Sequence, residues 1–231
     1  MIINILIILA VALGGYVGFK RGAARGLVNV ISLIAISIVS FQFKDFLGNL
    51  FIKFLPFFNF GGKFNGMFAI NILVYQGIAF LIIFTLLYCV LNILVNLSNF
   101  MEIIDKFNPC IEKYSKPLGT AFGVIESFVV VFLVAFCLLQ FGHTQGVVMK
   151  NDMLKGIVEK TPIVNVIFAK SIVAGESIYL TMENPSPDEL ENNLEIVRTL
   201  IKFSVVKAPL VQQGIDSGKL NLENVVVASH G

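Results

Sequence analysis

Glu126 stands alone as an ionisable side chain set deep in a long apolar run, Leu118 to Phe141. An acid there must be protonated, paired or wet, because a bare carboxylate is costly in hydrocarbon. It follows Pro117 by nine residues, about 13 Å along a helix. That depth leaves two readings open: a functional or gating role, or pairing with a cation of the preceding loop such as Arg25. A second polar feature is the stripe Asn92, Asn96 and Asn99, spaced i, i+4 and i+7 on one helical face. It must meet protein or water, through interhelical hydrogen bonds or along a conduction path. The third is a loop basic motif, Lys20, Arg21 and Arg25.

Catalytic chemistry finds little support. His143 and His230 are the only histidines, no serine or cysteine stands in a nucleophile motif, and there is no phosphate-binding glycine loop, dinucleotide fingerprint or H-E-x-x-H. Cys89, Cys110 and Cys137 form no C-x-x-C pair, and two of them lie within apolar runs, so neither a disulfide framework nor a zinc site is expected. The reading is a non-enzyme with no catalytic residues, cofactor or metal. With a net charge of +2 and no extended basic cluster, nucleic acid is not an expected partner.

These residues need elements to hold them, and composition says which. The chain is 56% hydrophobic and 14% charged over 231 residues, against about 45–50% and 25% in soluble domains. An all-α polytopic membrane protein is expected, with four spans at about 1–19, 27–43, 70–91 and 118–141. Each approaches the ~20 apolar residues that cross a bilayer. The charges at Lys20, Arg21 and Arg25 follow the first run rather than precede it, as they would in a cleaved signal peptide, so that run reads as a retained helix. After span two, Phe46, Leu47, Leu50, Phe51, Phe54 and Leu55 recur at helical spacing opposite Asn49 and Lys53, before Pro56. That pattern predicts an interfacial amphipathic helix, with a loop packed on the bundle as the alternative.

Residues 1–145 thus form a membrane module, and 146–231 a polar, amphipathic helical tail. In the tail, Ser186, Pro187, Asp188 and Glu189 predict a capped helix start, with Leu190, Leu194, Val197 and Ile201 on its buried face. Ile163 to Leu180 is apolar but carries Lys170 and Glu176, which favours an amphipathic helix over a fifth span. The loop lysines and arginines divide equally between the two sides. The density of charge around Arg21 places the first loop in the cytoplasm, and both termini outside it.

Small residues supply the expected packing. Gly14 and Gly18 in span one, and Gly119, Gly123 and Ser127 in span four, repeat every four residues. That spacing lets backbones approach closely in lipid and makes the two spans candidate partners. The other expected partners are the lipid bilayer and further membrane proteins or copies of this chain.

Two segments resemble the colicin V production protein family of bacterial inner-membrane proteins. Gly18-Phe19-Lys20-Arg21-Gly22 with Arg25 and Ser32-Leu33 is similar to its glycine, aromatic, basic pair, glycine pattern. Lys116-Pro117-Leu118-Gly119 with Gly123, Glu126 and Ser127 is similar to the start of its last helix, although Pro117 and Ser127 depart from the usual residues there. The resemblance covers about residues 1–145. It implies a four-helix membrane module linked to toxin export or envelope maintenance, without an established enzymatic activity. Relatives fused to an extracytoplasmic protease imply that the C-terminus can lie outside. The function expected is therefore a scaffold or accessory in the inner membrane; the competing expectation is a small oligomeric transporter or channel using Glu126 and the asparagine stripe.

Overall fold

The structure, a computed structural model, describes residues 1–98, 112–161, 163–220 and 222. The described residues are helical, with no strand among them. The long helices are α1 (Ile2–Arg21), α2 (Ala23–Phe54), α3 (Ile70–Leu97) and α4 (Glu112–Gln140), with a 3₁₀ turn at Gly62–Phe64. The tail adds α5 (Gly142–Met149), α6 (Asp152–Lys160), α7 (Val164–Glu183), α8 (Glu189–Lys202) and α9 (Ala208–Asp216). Among the described residues, four helices are long and apolar enough to cross a membrane: Ile2–Arg21, Ala23–Phe54, Ile70–Val95 and Tyr114–Gln140.

One residue, Gly22, separates α1 from α2. Its φ of 82° lies in the left-handed region, where a side chain would be strained, and its N–H caps α1 by donating to Gly18 O at 3.0 Å. The second helix then begins earlier than residue 27 and does not stop near Lys44. It runs unbroken to Phe54, so the segment expected to form a separate interfacial helix is its last turns. Phe46 and Phe54 face outward, as an interfacial face requires, whereas Ile52 is buried against the tail. The helix passes through Lys44 because that ammonium has partners: Asp45 Oδ1 at 2.7 Å, Gln76 Oε1 at 3.5 Å and the Phe41 ring 4.7 Å below it. It ends at Leu55, which is extended, as a residue before proline must be.

Lengths explain what the tail does. At 1.5 Å per residue α2, α3 and α4 are about 42–48 Å long, well beyond a hydrocarbon core of ~30 Å. The excess lies at the end where α2 stops, α3 starts and α4 finishes, and α6 to α9 wrap it. On α3 the boundary is sharp. Every residue from Ile70 to Phe80 except Ile78 is buried, and from Leu81 onward the helix is largely exposed. One core joins Ile70, Leu73 and Ile52 to Ile178, Ile196 and Leu200. A second joins Phe80, Phe132 and Phe136 to Leu154, Val158 and Phe168.

Phe168 of α7 is fully buried, with ring centroids of Phe41, Phe136, Phe132 and Phe80 at 4.3, 4.6, 5.5 and 5.7 Å. α7 therefore packs on the end of the bundle. Lys170 stays exposed and Glu176 meets Lys155 Nζ at 3.0 Å. At α8 the cap is Asp188, which accepts from Leu190 N at 2.9 Å, while Ser186 Oγ bonds Asp188 N and Glu191. The buried face of α8 is centred on Asn193, Ile196, Val197 and Leu200; Leu190 is exposed, and Leu194 and Ile201 are half-buried beside the core. Asn193 fastens α8 to the start of α3, accepting from Ala69 N at 2.9 Å and donating to Gly66 O at 2.6 Å.

Candidate functional site

The glycines of α1 and α4 face one another, with the two helices antiparallel. A Cβ on Gly18 would lie 2.1 Å from Gly119 O and 2.8 Å from Gly123 Cα; one on Gly123 would lie 2.1 Å from Gly14 O. These are backbone atoms, so no rotamer change relieves the clash. Ser127 completes the contact beside Gly14, its hydroxyl donating to Gly123 O at 3.0 Å.

Directly beside this contact, Arg21 Nη1 donates to both carboxylate oxygens of Glu126, at 3.2 and 3.3 Å. The loop cation that pairs with the acid is thus Arg21. The pair clasps the end of α1 to the middle of α4. Its side chains are 40% and 27% exposed where they meet at the cavity.

Arg21 and Glu126 also stand at one end of a cavity of about 620 Å³ bounded by α2, α3 and α4. Arg25, Asn29 and Ser32 reach it from α2, and Asn92 from α3. The rest of its wall is apolar, including Leu33, Phe84, Leu91, Leu133 and Cys137. Leu81, Tyr88, Val130 and Val134 line it and are themselves exposed, so it opens sideways between α3 and α4. Asn92 Nδ2 donates to Tyr88 O at 2.9 Å, and the Tyr88 ring stacks on Phe84 at 6.2 Å.

Of the residues singled out in the sequence, Arg21, Arg25, Glu126 and Asn92 converge here. Lys20 does not line the cavity; its ammonium lies 4.6 Å from the Tyr16 ring centroid. Asn96 lies on α3, but its side chain is outside the described residues, as is the whole of Asn99. Asn29 was missed and Ser32 entered only as part of the family-like segment, although Arg25, Asn29 and Ser32 repeat the same i, i+4, i+7 spacing that marks the asparagine stripe. His143 sits between the Phe60 and Phe64 rings, at 5.9 and 4.4 Å, a packing role. Outside the spans, the hydrogen bond from Lys150, 2.8 Å away, holds the Glu183 carboxyl below its usual range and ties α5 to α7.

Four apolar helices, a small-residue contact and a cavity opening into the bilayer plane define a multi-pass helical membrane protein. The family model described as "Colicin V production protein" matches residues 3–162. The chain belongs to that family, and the match takes in α5 and α6 as well as the four spans. Neither the curated proteins nor the solved structures include a match to this chain.

Proposed function

We propose that this protein is a non-enzymatic resident of a bacterial cytoplasmic membrane, acting as a scaffold or accessory in toxin export or envelope maintenance. The one-ended cavity carries the reading. A transport path needs polar groups at successive depths. Here the charged and amide groups lie in the half of the cavity toward the first loop, the other half is lined mainly by apolar side chains, and the rings around Phe168 close the bundle beyond it. Such a cavity receives something lying in the membrane plane. The exposed apolar flank of α1, including Ile5, Leu9 and Leu13, supplies further surface for lipid or for other membrane proteins. In this reading the first loop is cytoplasmic and both termini and the tail are outside.

The test is crosslinking in intact cells followed by co-purification. A scaffold brings down a reproducible set of membrane or export proteins, and recovery of this chain alone counts against it. A second reading, a small oligomeric transporter or channel, draws on the convergence of Glu126 and Asn92 in one cavity. It predicts solute flux in proteoliposomes that falls in Glu126→Gln and Asn96→Leu. Equal background flux in all three proteins removes it for the solutes tried.

A further inference from the structure

We propose that the cavity between α2, α3 and α4 is a binding site for a single anionic phospholipid from the leaflet on the side of the first loop. This deepens the reading of the cavity as a lateral site by naming what enters it. Four observations converge. Among the described residues, the polar end carries the guanidinium groups of Arg21 and Arg25 and the carboxylate of Glu126, with Asn29, Ser32 and Asn92 beside them. Arginine forks suit phosphate oxygens, and the amide and hydroxyl groups suit the glycerol and ester region.

Length discriminates between occupants. The lining on α3 runs from Leu81 to Val95 and that on α4 from Glu126 to Leu138, about 18–21 Å of helix. One leaflet with its headgroups is about 20–22 Å thick, half of a 40–45 Å bilayer. A partner's spanning helix needs about 30 Å of apolar contact and would overrun into the Phe41, Phe80, Phe136 and Phe168 rings. The opening is also the right kind. Its rim at Leu81, Tyr88, Val130 and Val134 faces sideways, where a lipid can slide in without leaving the membrane. The sign of the surface chooses among lipids. Lys20 and Lys116 stand at the same end of α1 and α4 as Arg21, their ammonium groups lying against Tyr16 and Phe19, so the site sits in a basic headgroup zone.

The chain contains no tryptophan, so one introduced indole reports without background. Tyr88→Trp places it at the cavity rim, and Leu9→Trp places it on the exposed flank of α1 as a control. Each variant is reconstituted in vesicles of phosphatidylcholine and phosphatidylglycerol, with bromine on the acyl chains of one lipid or the other. The expected result is preferential quenching by brominated phosphatidylglycerol for Tyr88→Trp, by about fivefold in relative affinity, and no preference for Leu9→Trp. Adding Arg25→Gln to Tyr88→Trp should bring the preference close to one. Should that double variant fail to fold, native mass spectrometry of the unsubstituted protein extracted from the same vesicles decides. One retained phosphatidylglycerol per chain is expected, and no retained lipid or indiscriminate retention overturns the proposal. Equal quenching by the two lipids at Tyr88→Trp overturns it, as does the same preference at Leu9→Trp. Protection of Tyr88→Trp from both lipids would mean a protein occupant and also overturns it. Because purified protein is used, a failed co-purification leaves the lipid result standing, and a failed lipid result leaves the scaffold reading standing.

Discussion

At Gly18 the distance to a neighbouring backbone decides what the residue can be. A valine there would drive its Cβ to 2.1 Å from Gly119 O, and overpacking of this kind costs about 1–3 kcal/mol or forces the helices apart. Gly18→Val should therefore lower the thermal midpoint of the detergent-solubilised protein by several degrees and should reduce crosslinking between cysteines placed on α1 and α4. Gly156 gives the opposite sign. It lies within α6 with nothing inside 4 Å of a built Cβ, so Gly156→Ala should raise stability by about 0.4–1 kcal/mol through the unfolded chain. A midpoint unchanged by Gly18→Val would mean that α1 and α4 do not pack through this face. The glycine contact was legible in the sequence because the spacing of four residues is itself the geometric requirement. The basic partner of Glu126 was legible only as a class. Whether Arg21 or Arg25 reaches the carboxylate depends on how Gly22 turns the chain, and a one-residue turn with φ of 82° leaves no periodicity to read.

Helices report a different lesson, because their ends and faces depend on partners distant in the chain. A bare Lys44 should end a span, since a charge in hydrocarbon costs about 3 kcal/mol. What the sequence pattern could not supply was Gln76, on another helix, which together with Asp45 lets α2 continue for ten further residues to Phe54. The separate interfacial helix disappears for the same reason. The α7 segment is a helix that is not among the candidate spans, yet its partners lie on three of them, and only the fold reveals Phe168 as the residue that joins them. Phe168→Ala should cost about 3–5 kcal/mol, as a large side chain removed from a closed apolar site does. Phe168→Leu should recover much of that loss. The measurement is denaturant or thermal unfolding in detergent, combined with limited proteolysis after Lys160. Cleavage there should accelerate in the alanine variant if α7 holds the tail to the bundle. Equal proteolysis rates for wild type and Phe168→Ala would show that the other tail helices hold it alone.

For the molecule as a whole, the wrapped end and the basic end oppose each other along the bundle, and that polarity bears on its orientation. The nine lysines and arginines up to Phe141 outnumber five acids, whereas ten acids slightly outnumber eight bases from Gly142 onward. Only cations near the spans weigh on insertion. Several tail-side cations are engaged locally: Lys44 is buried with Asp45, Lys150 pairs with Glu183, and Lys155 pairs with Glu176 and Glu159. The dense group Lys20, Arg21 and Arg25 stands at the opposite end, around the turn between α1 and α2. A cytoplasmic first loop and an outside tail follow as the expected topology. Ser217 is suited to test it, being exposed at the end of α9. With Cys89, Cys110 and Cys137 replaced, Ser217→Cys should react with a membrane-impermeant maleimide in intact spheroplasts as completely as it does after permeabilisation. A cysteine introduced at Lys20 should react only after permeabilisation. The reverse pattern would invert the protein in its membrane. It would also move the proposed phospholipid site to the outer leaflet, because that site is fixed to the end that carries Arg21.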